Sequence, residues 1–444
     1  MAMKALDIYK HLPKTNCKKC GYPTCLAFAM KLAVGKADVE ACPDLEAEAR
    51  TLLGGVTRPP VRLVTIGTGE RSVAVGEEFV LFRHEKTFYH PPGIVVQVSD
   101  AWPDDEVRSV VEMVEETVVH RVGQDLVLNG VAVKYESNLP ERFAEVVTLA
   151  GGGNSLPLAL IADDPGALEA ALAVAGHYRP LIHAATEENH EALAALAKRY
   201  GCPLAVRAAD PAELAALAGK CADAGVPDIV LDPAPSSLAG FVAIATDIRK
   251  AAIGRTEPAL GYPLSIDAGA FGDADAAIAA GILKYAGIIV VPPLSPASVE
   301  AALTLRQNIY TDPQKPIQVT PGIYPINEPG RNAPVLLTVN FSLTYFTLLG
   351  YLEASRIPCY LFIADTEGLS VLTAVAGGKL TETLVADSIK EFGVGDLVDH
   401  RLLVIPGYAA PLSGKIEDAT GWKVLVGPRD AADLPGYLEK EWKA

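Results

Sequence analysis

From about residue 60 to residue 320, short β-branched runs alternate with alanine-rich stretches whose apolar residues recur at helical spacing. The runs Val61 to Ile66, Ile94 to Val98, Val146 to Leu149, Leu158 to Ile161, Pro180 to His183, Pro203 to Val206, Asp228 to Leu231, Leu264 to Asp267, Gly287 to Val291 and Pro316 to Val319 read as strands. Glu188 to Tyr200 (ENHEALAALAKRY) and Pro211 to Lys220 read as two of the helices between them. Strand-helix units of this length predict parallel strands joined by right-handed crossovers, and their number fits an eight-stranded barrel.

Two breaks flank this region. Gly54-Gly-Val-Thr-Arg-Pro-Pro60 and Asn327 to Asn332 (NEPGRN) have linker composition, so the pattern divides into residues 1–57, 60–322 and 330–444. In the last part, strands Val335 to Asn340, Cys359 to Ala364, Arg401 to Ile405 and Lys423 to Val426 alternate with helices near Thr344 to Ser355, Ser370 to Ala376, Thr381 to Phe392 and Gly414 to Ala419. Four strands with helices on both sides predict a doubly wound, Rossmann-like domain whose ligand lies beyond the carboxyl ends of the strands. Those ends read Asn340-Phe-Ser-Leu-Thr344, Asp365-Thr-Glu-Gly-Leu-Ser370, Pro406-Gly-Tyr-Ala-Ala-Pro411 and Gly427-Pro428. Small residues, hydroxyls and glycines with little charge suit a broad, flat organic ligand. Equally, glycine and proline there do no more than turn the chain. The strand-end turns Asp163-Asp164-Pro165, Asp232-Pro233 and Asp267-Ala-Gly269 read first as helix caps and only second as catalytic groups. The loop Gly151 to Ser155 (GGGNS) lacks the lysine and hydroxyl of a P-loop.

The chain of 444 residues carries a net charge of -16, which argues against nucleic-acid binding. The sequence has no uncharged apolar run long enough for a membrane span and no export signal, so a cytoplasmic location is expected. Charge is unevenly placed: residues 1–37 hold seven lysines against Asp7 alone, leaving about -22 on the remainder. A solvated face explains this, as does a basic collar that steers an acidic electron donor such as a ferredoxin.

That basic segment contains Cys17, Cys20, Cys25 and Cys42, spaced C-x2-C-x4-C-x16-C. The first three lie in a Gly/Pro-rich turn. Thr24 to Val34 reads as a helix ended by Gly35, which with a short loop returns Cys42-Pro43 to the same place. Four thiolates at this spacing point to a 4Fe-4S cluster; a structural zinc site is the rival, although it more often shows two C-x2-C knuckles or added histidines. Cys202, Cys221 and Cys359 stand singly in apolar surroundings and read as core residues.

Several motifs, in order along the chain, carry a resemblance: Cys17-x-x-Cys20-Gly-x-Pro-Thr-Cys25-Leu-Ala-Phe-Ala-Met30, Leu81-Phe-Arg-His-Glu-Lys86, Val98-Ser-Asp100, Arg306-Gln-Asn-Ile-Tyr-Thr-Asp-Pro313, Asn340-Phe-Ser-Leu-Thr-Tyr345, Gly368-Leu-Ser-Val-Leu-Thr-Ala374 and Gly421-Trp-Lys-Val-Leu-Val-Gly-Pro428. Together they resemble the large (gamma) subunits of corrinoid iron-sulfur proteins of the reductive acetyl-CoA (Wood-Ljungdahl) pathway. The resemblance implies an N-terminal 4Fe-4S domain, a central (β/α)8 TIM barrel and a C-terminal corrinoid (cobalamin) domain, in a heterodimer with a small subunit. It implies a methyl carrier: cobalt takes a methyl group from methyltetrahydrofolate through a separate methyltransferase and gives it to acetyl-CoA synthase, while the cluster returns Co(II) to Co(I). Cys17, Cys20, Cys25 and Cys42 match the cluster ligands. The corrinoid contacts it implies are Asn340, Ser342, Leu343, Thr344, Thr366, Gly368, Leu369, Ser370, Thr373, Ala374, Gly377, Pro406, Gly407, Tyr408, Ala409 and Gly427. The cobalt itself is then the nucleophile, and no side chain is catalytic.

The Asp-x-His-x-x-Gly motif that ligates cobalt in many cobalamin enzymes is absent, and the one histidine beyond residue 190, His400, precedes a strand. The resemblance implies a base-off corrinoid without a protein imidazole, and the sequence agrees in offering no such histidine. The readings outside this family are an iron-sulfur electron carrier or barrel enzyme without corrinoid, and a zinc-stabilised scaffold.

Overall fold

The structure, a computed structural model, describes residues 5–33, 37, 39–46, 48–50, 53, 59–69, 72–151, 156–254, 256–312 and 316–442. The helix stop at Gly35, most of the first linker (54–58) and loop residues 152–155 lie outside them. The chain forms two compact units, Met1–Val119 with Leu126–Tyr310, and His120–Asp125 with Thr311–Ala444.

The first unit holds the expected barrel. Eight strands close on themselves in parallel: Gly93–Ser99, Gly130–Lys134, Leu158–Ile161, Leu181–Ala185, Leu204–Arg207, Ile229–Asp232, Leu264–Asp267 and Ala286–Val291, the last pairing back on the first. Residues at alternate positions face two different cores. Ile94, Val96, Val98, Val131 and Val133 pack outward on the helices, whereas Val95, Ala132, Ala159, Ala205, Val230 and Val290 fill the interior. Strands buried on both faces lose the polar alternation of a half-exposed sheet, so they read as continuous apolar runs.

Three of the ten expected strands are not in the barrel. Of Val61 to Ile66, only Val64–Ile66 is a strand, and it pairs antiparallel with Val73–Val75 rather than with the barrel; both contribute to the interior core. Val146 to Leu149 lies within the helix Pro140–Gly151, where Phe143, Val146, Val147 and Ala150 bury one face: helical spacing prevails over the β preference of two valines. Pro316 to Val319 forms no strand, and Gln318 makes an isolated bridge to Phe341 in the second unit. The strand that fills the vacancy is Gly130–Lys134 (GVAVK), which the sequence reading passed over.

Ahead of the barrel, helices Ala5–Lys10 and Cys25–Ala33 pack Ile8, Leu12, Phe28, Ala29, Leu32, Val39 and Leu45 into a small core that includes Cys25 and Cys42. The Thr24 hydroxyl accepts a hydrogen bond from the Ala27 N–H (3.0 Å), so the helix starts at Cys25 as a capped end.

The second unit is built on a five-stranded sheet, ordered Gly322–Ile326, Cys359–Ala364, Val335–Val339, Leu402–Ile405, Lys423–Val426. The four strands expected from the pattern are parallel. Gly322–Ile326 is a fifth, antiparallel edge strand, and Pro325 within it carries no N–H to offer a further neighbour. One face packs Leu336, Leu361, Ile363 and Val404 against Leu352, Leu434 and Leu438; the other packs Val335, Leu337, Val339, Phe362 and Ile405 with Val385, Ile389 and Ile416. Helices thus cover both faces. The strand order reverses between Val335–Val339 and Leu402–Ile405, the position where ligands of doubly wound sheets bind.

Candidate functional site

Two groupings attract attention, one around the N-terminal cysteines and one at the reversal point of the second sheet. In the first, Cys17 is exposed, Cys20 partly exposed, and Cys25 and Cys42 buried. Burial pushes the Cys42 thiol pKa upward, and nearby Cys20, Cys17 and Cys25 push it further by charge repulsion, so the fold brings all four within electrostatic reach of one another. Asp44 lies against this corner: Lys19 bonds its two carboxylate oxygens (both 2.9 Å) and, with a hydrogen bond from Cys17, holds its pKa below the usual carboxylate range. Asn16 accepts from the Cys25 N–H (2.7 Å) and fixes the turn. Lys14, Asn16, Lys18 and Gly21 take left-handed backbone, so the chain turns sharply and repeatedly around these cysteines. Among the described residues, no three or more His, Cys, Asp or Glu side chains converge tightly enough to hold a single metal ion. Of the seven lysines, Lys10 and Lys19 are paired with Asp7 and Asp44, and Lys4 and Lys36 lie outside the described residues.

At the reversal point a cavity of about 520 Å³ opens beyond the carboxyl ends of Val335–Val339 and Leu402–Ile405. Its walls are mostly apolar: buried Leu336, Leu361, Val371, Val404 and Leu434, with part-exposed Phe341 and Leu348. Of the residues expected to touch a ligand, Leu343, Thr344, Pro406, Tyr408 and Gly427 line it. Leu343 and Tyr408, which line it, are 53% and 43% exposed, much apolar surface to leave in water around one opening.

The other expected residues build the turns around it. Asn340, 1% exposed, accepts at Oδ1 from the Thr366 N–H (2.9 Å), the Thr366 hydroxyl (3.1 Å) and the Gly368 N–H (2.9 Å), and its Nδ2 donates to Asp365 (2.9 Å). It ties the end of one strand to the loop after the next. Buried Ser342 donates its N–H to the Ile317 carbonyl (3.0 Å). Ser370 caps the helix Val371–Ala376 and meets the Thr373 hydroxyl at 3.0 Å, Leu369 and Ala374 pack into the core, and Gly377 ends that helix. Gly407 donates to the Pro428 carbonyl (3.0 Å), and Ala409 is buried in the same turn. Leu336, Thr338, Leu361, Val404, Arg429 and Leu434 line the cavity but escaped the sequence reading. Thr338, the one polar letter in the strand VLLTV, was the available signal.

His400 lies before Leu402–Ile405, at the amino edge of the sheet, opposite the cavity. Its Nε2 meets the Ala333 carbonyl (2.9 Å), its Nδ1 accepts from the Leu402 N–H (3.2 Å), and its ring meets Trp442 edge-on. Both nitrogens are engaged, and the residue stands ahead of its strand, where the sequence context placed it.

The mouth of the barrel holds a third polar group. Asp232 is 4% exposed, with Oδ2 taking Arg207 Nε at 2.8 Å and His183 Nε2 at 3.1 Å. Burial alone would raise its pKa; the hydrogen bonds and charges of His183 and Arg207 outweigh burial and lower it to about 2. A carboxyl held below its ordinary value of 3.8 stabilises the fold above that value, and the contribution disappears as pH falls from about 4 to about 2. Asp232→Asn should therefore cost about 2–3 kcal/mol near neutrality. Denaturant unfolding at pH 7 and pH 3 checks this: the difference between parent and variant should shrink at the lower pH.

Among the described residues no helix is long and apolar enough to cross a membrane. A family model for the CO dehydrogenase/acetyl-CoA synthase delta subunit matches residues 63–438, and an Fe-S cluster family model matches residues 12–43. The corrinoid/iron-sulfur protein large subunit of Moorella thermoacetica is 40% identical over 439 residues, 98% of each chain. The acetyl-CoA decarbonylase/synthase complex subunit gamma of Methanopyrus kandleri is 42% identical over 455 residues, 99% of this chain and 98% of that one. Among solved structures, a dihydropteroate synthase from Thermus thermophilus is 18% identical with a TM-score of 0.36, over 56% of this chain and 100% of that one. With identities of this size along nearly its whole length, the chain belongs to the family of corrinoid/iron-sulfur protein large subunits and acetyl-CoA decarbonylase/synthase gamma subunits.

Proposed function

We propose that this chain is the methyl-carrying subunit of a corrinoid iron-sulfur protein, with a 4Fe-4S cluster in residues 1–57, a barrel scaffold from residue 60 and a corrinoid domain from residue 330. The observation that carries the reading is the roughly 520 Å³ apolar cavity at the sheet's reversal point, opening under a rim of exposed Leu343 and Tyr408. A flat macrocycle with an appended nucleotide needs both a broad apolar surface and a deep recess, and a compact polar substrate needs neither. The buried, unpartnered Thr338 hydroxyl in the wall also fits a site completed by a bound molecule. When bound, the corrinoid supplies a cobalt centre that takes up and gives away a methyl group, and the cluster supplies single electrons that keep it reduced.

The chain's own residues hold and shield these groups. Cys17, Cys20, Cys25 and Cys42 would ligate the cluster, whose positive irons relieve the mutual repulsion that their thiolates otherwise suffer. Leu343 and Tyr408 would exclude water from one face of the macrocycle. His400 is occupied at the far edge of the sheet and would offer no imidazole to the corrinoid, whose own base would sit in the recess, the base-off form that the resemblance implies. The proposed partners are a small subunit in a heterodimer, a methyltetrahydrofolate methyltransferase, acetyl-CoA synthase and a ferredoxin-like donor drawn to the lysine-rich amino end, all in the cytoplasm.

Quantifying metals in anaerobically purified protein tests this. About four irons per chain and up to one cobalt are expected. Iron without cobalt, even after corrinoid is supplied, would favour the electron carrier or barrel enzyme, and zinc alone would favour the scaffold.

A further inference from the structure

Thr338 stands out among the groups that line the cavity. It is 0% exposed, on the central strand of the sheet, and its Oγ1 has no hydrogen-bond partner. Leu336 two residues earlier lies on the same face of the strand, and Leu348, Leu361, Val404 and Leu434 add to the apolar wall around it. Among the other polar groups on the lining, the Thr347 hydroxyl donates to the Leu343 carbonyl (2.7 Å), Asp430 caps the Ala432 N–H (3.0 Å), Arg429 lies over the ring of exposed Tyr408, and Thr344 is part-exposed, whereas Thr338 is fully buried. A buried hydroxyl without a partner costs folding free energy, and valine would fill the same space without that cost.

We propose that the Thr338 hydroxyl reads the lower base of the corrinoid, donating a hydrogen bond to the base's ring nitrogen and so selecting nitrogenous bases over bases without a lone pair in the ring. This rests on the corrinoid reading above. A base that does not ligate cobalt arrives with one unsatisfied acceptor, and the cavity floor offers one unsatisfied donor. Burying each alone is unfavourable; together they cancel.

The test measures binding of three corrinoids to the full-length, corrinoid-free chain: cobalamin, a phenolyl cobamide whose base lacks a ring nitrogen, and cobinamide, which lacks the nucleotide altogether. The parent should prefer cobalamin over the phenolyl form by about tenfold, the scale of one net hydrogen bond. Thr338→Val should lose that preference through cobalamin alone and leave cobinamide unchanged, while Thr338→Ser should keep it. Thermal melting of the corrinoid-free variants checks folding, and Thr338→Val should melt no lower than the parent. Equal preference in parent and Thr338→Val, or no preference in the parent, overturns the role of Thr338 while leaving the corrinoid site in place. Failure of the parent to bind any of the three overturns the corrinoid reading and this proposal with it.

Discussion

Cys42→Ala, purified without oxygen, is expected to contain less than a quarter of the parent's iron and to lose the thiolate-to-iron absorption, with cobalt content unchanged. Cys42 is the ligand that returns from a distance: the 3-10 turn Val39–Ala41 delivers it, 4% exposed, into the core formed by Phe28, Ala29 and Leu32. Removing one of four thiolates leaves an iron corner open to solvent, and cubane clusters with an open corner are lost readily. Alanine is small and apolar, so the helix packing around it suffers only a shallow void. Three controls lie in the same chain. Burial raises the thiol pKa of Cys202 to about 12, Cys221 to about 11 and Cys359 to about 12, which keeps them protonated and inert. Alanine at any of these should leave iron untouched. Iron retained in Cys42→Ala would remove this cysteine from the ligand set.

How much of this was legible in the sequence depends on how local each feature is. The cysteine corner was readable because three of its four sulfurs fall within nine residues and the helix joining them to the fourth is short. Barrel strands were readable as apolar runs, yet Val146 to Leu149, read as a strand, is helical, and the strand Gly130–Lys134 was not read at all. In the first, two adjacent valines hid a helical stripe that starts at Phe143; in the second, Asn129-Gly130 looks like a turn, although the Asn129 side chain accepts from Ile94 N–H (3.0 Å) and supports the first strand. The turns around the cavity were readable as glycine and hydroxyl clusters. The cavity's walls were not, since Leu336, Leu361, Val404 and Leu434 come from four elements and look like any core leucine or valine until the sheet assembles them. The purpose of Asn340 was hidden for the same reason: its partners are about 25 residues further on, in a loop that only parallel strand pairing brings alongside.

Gly407→Leu is expected to reduce cobalt to under a tenth of the parent's while iron stays the same. A Cβ at position 407 would lie 2.9 Å from both the Arg429 backbone nitrogen and the Gly427 carbonyl oxygen. Neither is the end of a flexible side chain, so the segment Gly427–Arg429, which forms one wall of the cavity, has to move. The turn is held tightly, with Gly407 N–H on the Pro428 carbonyl (3.0 Å) and Gly427 N–H on the Ile405 carbonyl (2.9 Å), and displacing it closes the recess a corrinoid would need. Gly368 offers a weaker version of the same test. Its φ of +75° strains any other residue, but the atom its Cβ would meet, Gln318 Cγ at 2.6 Å, belongs to a side chain that can swing away. Bulk at 368 should therefore lower cobalt less than bulk at 407. Gly414 is the control, because its Cβ would enter open space in the helix Ser413–Thr420 and a leucine there should change neither metal. The cavity lies in the second unit and the cysteines in the first, so a collapse confined to the cavity leaves the cluster intact. If Gly407→Leu protein, folded by its melting curve, holds as much cobalt as the parent, the corrinoid is seated elsewhere and the cavity has another occupant.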